Sequence, residues 1–150
     1  MLEQYNYEIK QIDDKLAEIA MKDSRVQLLK TIPGIANTLA LTIIAEIGDI
    51  NLFKSSKHLA SYAGLAPGIK QSGNTLKFRR VIKQSSKDLK TCFVEASWVL
   101  VRTKEANRLK WFYGNLSKKK GKKKAICAVA RKLCCITYAM LKKNREFMLL

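Results

Sequence analysis

The segment from residue 24 to residue 50 constrains the fold most tightly, because a Pro-Gly pair separates two apolar segments with helical spacing. A residue that precedes proline disfavours helix, so the first helix is predicted to end before Pro33. A second helix is predicted from Asn37 to Ile47, with Gly48 ending it. Two short helices joined by the tetrapeptide IPGI are typical of the helix-hairpin-helix pattern, which we place at residues 26–47.

The turn of this pattern is a candidate phosphate-binding site. Gly34 and the N–H groups that follow it, from Ile35 into the second helix, can hold a DNA phosphate without reading the bases. A helical hairpin that only packs within its own domain is the alternative. The IPGI sequence and the small residues near the second helix favour phosphate binding; these residues are Ala36, Ala40 and Ala45.

The first 22 residues form a separate unit in the predicted organisation. Their apolar residues alternate three- and four-residue spacings, which predicts a coiled-coil-type helix. The seam consists of Leu2, Tyr5, Ile9, Ile12, Leu16 and Ile19. A helix this short needs a packing partner. Docking on its own domain and pairing with a second copy, which would make a homo-oligomer, are the two alternatives.

Most of the remaining chain also has helical spacing. Residues 64–75 are the exception, because they contain three glycines and one proline, and they are predicted to be an irregular Ser/Gly loop or short irregular strands rather than helix. The fold class is therefore mainly α: a helix-hairpin-helix-containing helical domain, residues 23–150, preceded by the N-terminal helix. The further helices are predicted over about residues 55–63, from 82 or 86 to about 109, over 106–116 and over 125–143.

Positive charge is concentrated beyond residue 50. The formal net charge is +17, yet residues 1–50 carry five basic against eight acidic residues, and residues 51–150 carry twenty-four against four. A region this basic usually has a polyanion as its partner, most often nucleic acid, with an acidic lipid surface as the rival. No apolar run is long enough to span a membrane, and Met1 is followed by acidic amphipathic sequence rather than a signal peptide. A cytoplasmic protein without a membrane partner is expected.

Most enzyme templates have no counterpart here. The four cysteines and the single histidine lack zinc-ligand spacing, and carboxylates are too sparse beyond residue 50 for a two-metal site, so neither metal nor cofactor is expected in this chain. The cysteines lie in apolar helical segments and are predicted to be buried free thiols. Trp98, Trp111 and Tyr113 are predicted to be core residues rather than base-stacking residues.

One serine, in the stretch APGIKQSGNTLKFRR, could carry chemistry. A hydroxyl that attacks a phosphodiester needs exposure at a turn and cations that neutralise the transition state. Ser72 precedes a glycine and is flanked by Lys70, Lys77, Arg79 and Arg80. Residue types alone do not distinguish this arrangement from an ordinary basic turn, in which Ser-Gly is common.

Six lysines surround Gly121 in the sequence SKKKGKKK, residues 117–124. A solvated loop and a phosphate-contacting loop are both compatible with this run. The second interpretation assigns Lys122, Lys123 and Lys124 to phosphate and predicts a steep salt dependence of binding.

The order of these motifs resembles the C-terminal transposase domain of the IS110/IS116/IS902 family. IPGI is followed by AEIGDI, LASYAGLAP, the QSG that contains Ser72, and GKKKAICAVARKL, and the resemblance runs from about residue 28 to residue 147. It implies that Ser72 is the strand-transfer nucleophile. Lys83, Lys124, Arg131 and Lys132 fit the family's pattern, and Lys83 and Arg131 thereby join the candidate phosphate-binding residues.

The resemblance also implies partners and a further domain. Members of the family carry an N-terminal RuvC-like domain with four acidic residues, where Mg²⁺ is expected, and they act on DNA with a structured guide RNA. This chain would then be a fragment or a truncated copy that begins in the coiled-coil segment, from a bacterial or archaeal cytoplasm. Two positions depart from the family's pattern: Ser85-Ser86 replaces Gly-Asn, and Leu89-Lys90 replaces Leu-Arg.

Three functions remain open from the sequence. The first is strand exchange in DNA transposition with Ser72 as nucleophile. The second is a non-catalytic helix-hairpin-helix module that binds DNA or RNA. The third is a structural coiled-coil adaptor whose basic surface is incidental.

Overall fold

The computed structural model describes residues 1–72, 75–79, 85–105 and 107–148, with the backbone alone described over residues 68–72 and 75–79. Seven α-helices, one short 3₁₀ turn and one β-hairpin lie within these residues, so the mainly α fold class is confirmed. In chain order the elements are α1 Leu2–Lys22, α2 Ser24–Leu29, α3 Asn37–Ile47, the 3₁₀ turn Ile50–Leu52, α4 Ser56–Tyr62, β1 Gly68–Ser72, β2 Thr75–Arg79, α5 Lys87–Arg102, α6 Arg108–Lys120 and α7 Lys122–Lys143.

Helix α7 organises the core, because it contacts α2, α4, α5 and α6. Its side chains Val129 and Leu133 are completely buried, and α5 contributes Phe93 and Leu100 to the same apolar cluster. Helix α5 also contacts α3, which in turn contacts α1 and α2. All seven helices are therefore connected, directly or through a neighbour, to one hydrophobic core.

Helix α3 has the predicted bounds, Asn37–Ile47, and ends at Gly48, whose φ of +62° glycine adopts without steric cost. Helices α2 and α3 contact each other across the IPGI segment. The two helices and their turn are thus present, while phosphate binding by a helix-hairpin-helix stays a prediction.

The IPGI turn packs closely against α5. The N–H of Ile35 donates a hydrogen bond of 3.1 Å to the carbonyl of Ile32, and Gly34 has a φ of +93°. A Cβ added at Gly34 would lie 2.7 Å from Cβ of Val99 and 3.2 Å from the carbonyl oxygen of Ala96. Both the backbone conformation and the close approach of α5 therefore require glycine.

Of the two predictions for residues 64–75, the strands are confirmed and the irregular loop is corrected, because β1 and β2 form a regular antiparallel hairpin. The sequence from Leu76 to Arg79 alternates apolar and basic residues, which is a strand pattern. The glycines and the proline nearby obscured this short alternation.

The predicted helix from residue 82 or 86 to about 109 is interrupted, because α5 ends at Arg102 and α6 begins at Arg108. The Thr103 hydroxyl donates to the carbonyl of Leu100 at 2.9 Å, and Oδ1 of Asn107 accepts from the N–H of Lys110 at 2.7 Å. Side chains that bond to the local backbone compete with helical hydrogen bonds. Asn107 therefore caps a new helix instead of continuing the old one.

The lysine run is helical, so the predicted loop conformation is wrong, while phosphate contact by these lysines stays a prediction. Helix α6 extends to Lys120, α7 begins at Lys122, and Gly121 alone lies between them, with a φ of +84°. One left-handed glycine is enough to end the first helix and start the second.

Helix α1 extends away from the domain over most of its length. Residues 2–15 are exposed, and Ala20 is its first buried residue. Only its C-terminal part meets the rest of the chain, so docking on its own domain does not account for the apolar seam of residues 2–15. None of the helices in the described part of the chain is both long and apolar enough to cross a membrane.

Candidate nucleic-acid interface

The β-hairpin places Ser72 at the last paired position of its ladder. Ser72 lies opposite Thr75, Lys70 lies opposite Lys77, and Arg79 is two residues beyond Lys77 on β2. Directly opposed residues of an antiparallel pair, and residues two apart on one strand, belong to the same face. The candidate nucleophile therefore shares one face of the hairpin with three of the four cations that flank it in sequence. The fourth, Arg80, lies outside the described residues, as does Lys83.

The chain on both sides of the β-hairpin, the hairpin segment of residues 65–86, is hydrogen-bonded to α4. Before β1, the N–H groups of Leu65 and Ala66 donate to the carbonyl of Ala60 at 2.8 and 3.2 Å. After β2, the N–H of Ser86 donates to the carbonyl of Tyr62 at 2.9 Å. Because α4 itself packs on α7, the hairpin segment is fastened at both ends to a helix of the core.

Ser86 connects the end of this segment to two helices. Its Oγ accepts a hydrogen bond of 3.1 Å from the N–H of Leu89, capping α5, and donates one of 2.6 Å to Oε2 of Glu46 on α3. The family's pattern has asparagine at this position, and serine and asparagine are comparably good N-caps. Sequence reasoning missed Glu46, since no local pattern relates it to Ser86.

The junction of α6 and α7 forms a second basic surface. Lys118, Lys119 and Lys120 occupy the last turn of α6, and Lys122, Lys123 and Lys124 occupy the first turn of α7, all of them exposed. Cations near a helix N-terminus meet the positive end of the helix dipole, and this turn contains no acidic residue. A bound anion would relieve the repulsion of these lysines by one another and by the helix dipole.

The IPGI turn offers few free groups to a phosphate. Gly34 faces Val99, the Ile35 side chain is 5% exposed, and the Ile35 N–H is bonded within the turn. Ala36 provides no side-chain cap to α3. The N–H groups of the first turn of α3 are consequently better placed for a phosphate than Gly34 or Ile35, and the role of those two residues stays a prediction.

A groove of about 1010 Å³ lies between α6, α7 and residues 145–148. Arg131, which is half-buried, and Lys132 both line it, and Nζ of Lys132 lies 4.5 Å from the ring centre of Phe112. Arg131 was predicted to contact phosphate, and the structure places it at this groove.

Trp111 stands at the same groove with 72% of its surface exposed, so its predicted core position is wrong. The core prediction is confirmed for Trp98 and Tyr113, which pack against the core and against each other with ring centres 5.9 Å apart. Helical spacing placed Trp111 beside core residues in sequence but did not distinguish the groove side of α6 from the core side.

The cysteines are only partly as predicted. Cys92 and Cys134 are buried, Cys135 is half-buried, and Cys127 is exposed on α7. Burial, with a smaller effect of the nearby Glu95 carboxylate, raises the pKa of the Cys92 thiol to about 11. Burial also raises the pKa of the Cys134 thiol. Across the described ranges, no three His, Cys, Asp or Glu side chains lie close enough together to hold a metal ion.

This chain is similar to several known proteins. The family model described as the transposase IS116/IS110/IS902 family matches residues 26–113. The pilin gene-inverting protein of Moraxella bovis is 39% identical over 125 residues, which cover 82% of this chain and 38% of that protein. The transposase for insertion sequence element IS1111A of Coxiella burnetii is 27% identical over 138 residues, covering 90% of this chain and 38% of that protein.

These relatives are much longer than the present chain, which spans about 38% of their length. The matched family region contains α3, α4, the hairpin with Ser72, and α5. Because the family model covers more than half of the chain and a relative is 39% identical over most of it, this chain belongs to the IS116/IS110/IS902 family of transposases.

Proposed function

We propose that this chain is the strand-exchange domain of a transposase and that Ser72 attacks a DNA phosphodiester. The observation that carries the proposal is the register of the hairpin, which puts Ser72, Lys70, Lys77 and Arg79 on one face. Membership of a family whose relatives include a transposase and pilin gene-inverting proteins supports a reaction on DNA strands.

The chemistry requires one bond to form as another breaks. Oγ of Ser72 loses its proton and attacks phosphorus, the phosphoserine ester forms, and one P–O bond of the DNA strand breaks. The departing strand oxygen takes up a proton. In strand exchange, a hydroxyl of a second strand then attacks the same phosphorus and releases the serine.

Cations on the same hairpin face would neutralise the charge that grows on the phosphoryl oxygens. Lys70 and Lys77 are directly opposed, an arrangement that destabilises an antiparallel pair through like-charge repulsion. A phosphate between them would remove that penalty. The hairpin thus has an electrostatic reason to bind an anion where the nucleophile stands.

The wider DNA contact would involve the other basic surfaces. Lys122, Lys123 and Lys124 at the start of α7 can neutralise phosphates along a duplex, and Arg131 in the groove can contact a phosphate of bound nucleic acid. The first turn of α3, next to Gly34 and Ile35, would add backbone N–H groups. Arg80 and Lys83 complete the proposed set.

The remainder of the reaction would depend on parts of a longer protein. Because no acidic cluster capable of holding a metal lies among the described residues, Mg²⁺ would be held by a RuvC-like domain rather than by this chain. DNA, a guide RNA and a second copy joined through α1 are the proposed partners, and the bacterial or archaeal cytoplasm is the proposed location.

The test is a transposition assay with the full-length protein carrying Ser72→Ala, combined with a search for a covalent protein–DNA adduct. Adduct formation is read as DNA that co-migrates with protein after denaturation. Ser72→Ala is expected to abolish both signals while binding to DNA persists. Ser24→Ala, an exposed serine at the start of α2, is the control and should retain both.

The alternative is the non-catalytic helix-hairpin-helix module that binds DNA or RNA. It predicts equal transposition by the wild-type and Ser72→Ala proteins, with no adduct in either. Failure of the chain to bind any nucleic acid at low salt would instead favour a structural adaptor.

A further inference from the structure

The groove between α6 and α7 has an apolar floor and a cationic rim. Phe112, Ile136 and Met140 contribute apolar surface, and Met140 is buried in the core beneath. The volume of about 1010 Å³ is large for a chain of 150 residues. Such a groove is large enough to receive part of a ligand rather than a few water molecules.

Trp111 gives this groove an exposed aromatic surface. The side chain is 72% exposed although Trp98, on the neighbouring helix, is packed against the core. A large exposed aromatic beside a groove is a feature of partner-binding surfaces, where it provides contact area at a low entropic cost.

The charges around Trp111 indicate the chemistry of the partner. The groove is lined by one carboxylate, Glu146, and by five cations: Arg108, Arg131, Lys132, Lys143 and Arg145. Within the described ranges, the salt bridges are Lys22–Glu18 and Arg25–Asp23, so these five cations are not neutralised by an ion pair there. Lys132 instead lies over the ring of Phe112. An anionic ligand is required for charge complementarity.

Two anionic occupants are conceivable, and the charge distinguishes them. Helix α1 of a second copy would bring an apolar seam, but its five acidic residues are offset by three lysines. A nucleic-acid strand carries one negative charge per nucleotide and also presents flat bases. Exposed aromatic and basic side chains together are the combination by which proteins bind unpaired strands.

We propose that the groove binds an unpaired nucleic-acid strand, with one base stacked on Trp111 and the adjacent phosphates paired with Arg108, Arg131 and Lys132. This inference rests on the proposed function, because that function is the reason to expect nucleic acid as a partner. It adds a single-strand site that is separate in sequence from the Ser72 hairpin. Duplex DNA would not use the site in the same way, because its bases are already stacked.

Tryptophan fluorescence tests the proposal directly, because the chain contains only Trp98 and Trp111. The probe is a thymidine oligonucleotide of about ten nucleotides, within the usual size of a single-strand site. Stacking should quench Trp111 emission, and Trp111→Phe should lose the quenching but keep affinity within about threefold. Trp111→Ala should bind the oligonucleotide about tenfold more weakly, the usual cost of losing one stacked base.

A DNA duplex of the same length, closed by a DNA hairpin loop, is the second probe. Its binding distinguishes failure of this inference from failure of the proposed function. The inference expects Trp111→Ala to bind duplex as the wild type does. Equal oligonucleotide affinity of the wild type and Trp111→Ala, with duplex binding intact, overturns the groove assignment alone. Loss of all binding by the wild type overturns both. Trp111-dependent dimerisation without oligonucleotide binding would show that a second copy occupies the groove, and this too overturns the inference.

Discussion

The Ser86 hydroxyl donates a hydrogen bond of 2.6 Å to Oε2 of Glu46, a residue forty positions earlier in the chain. The same hydroxyl caps α5 by accepting from the N–H of Leu89. One side chain thus joins α3, the end of the hairpin segment and the start of α5. The position of the Ser72 hairpin relative to the core depends on this link and on the two attachments to α4.

Ser86→Ala should lower the free energy of unfolding by about 1–2 kcal/mol, because it removes the α5 cap and leaves Glu46 without its donor. Urea denaturation measures the change. Ser86→Asn, which can cap the helix, should recover about half of the loss. A double-mutant cycle with Glu46→Ala should give a non-zero coupling energy, and strict additivity would show that the bond contributes nothing.

Gly34→Ala should be strongly destabilising, by about 2–4 kcal/mol, because it adds a methyl group at positive φ and close to Val99. Gly114→Ala is the matched control, since an added Cβ there meets nothing within 4 Å and α6 favours alanine. Thermal denaturation should separate the two variants clearly. Val99→Ala in the Gly34→Ala background removes only the Cγ1 contact at 3.0 Å and keeps Cβ at 2.7 Å, so it should restore little of the stability, and full recovery would contradict this account.

Replacing Lys122, Lys123 and Lys124 together with glutamine should weaken duplex binding and flatten its salt dependence. If each lysine neutralises one phosphate, the slope of log K against log salt should become shallower by about two to three. Titrations at several salt concentrations measure this slope. The same change at Lys10, Lys15 and Lys22 on α1 is the control and should leave the slope unchanged.

Thiol reactivity at pH 8 should identify Cys127 as the fast-reacting cysteine, because it is exposed whereas Cys92 and Cys134 are buried. Mass spectrometry after brief alkylation locates the label.

Stability should also fall at high pH. The pKa of the Cys92 thiol is about 11 in the folded protein and near 9 in the unfolded chain. Between these two pH values the unfolded thiol loses its proton while the folded thiol keeps it, so unfolding becomes more favourable as pH rises. Cys92→Ala should reduce this fall.

Ile9→Lys and Ile12→Lys on α1 should weaken self-association if the exposed seam pairs with a second copy. The two isoleucines are 55% and 57% exposed, so neither change should lower monomer stability. Sedimentation equilibrium gives the dissociation constant. Lys10→Gln, which lies off the seam, is the control, and identical association of all three variants would exclude α1 as the interface.

The sequence alone predicted the local features with good accuracy. The bounds of α3 followed from a helical apolar pattern ended by glycine, and the mainly α class followed from that pattern repeated along the chain. The cations near Ser72 and the basic character beyond residue 50 were also evident, because charge and spacing are properties of neighbouring residues.

Only the tertiary structure decided which of these residues meet. The register that pairs Lys70 with Lys77, the bond from Ser86 to Glu46, and the exposure of Trp111 each depend on how separate segments pack. A helical pattern is the same whether a residue faces the core or a groove, and a hydrogen bond across forty residues leaves no local periodicity. The sequence therefore determined α3, the mainly α class, the candidate residues around Ser72 and the family, whereas chain pairing and packing determined the hairpin register, the Ser86–Glu46 bond and the groove.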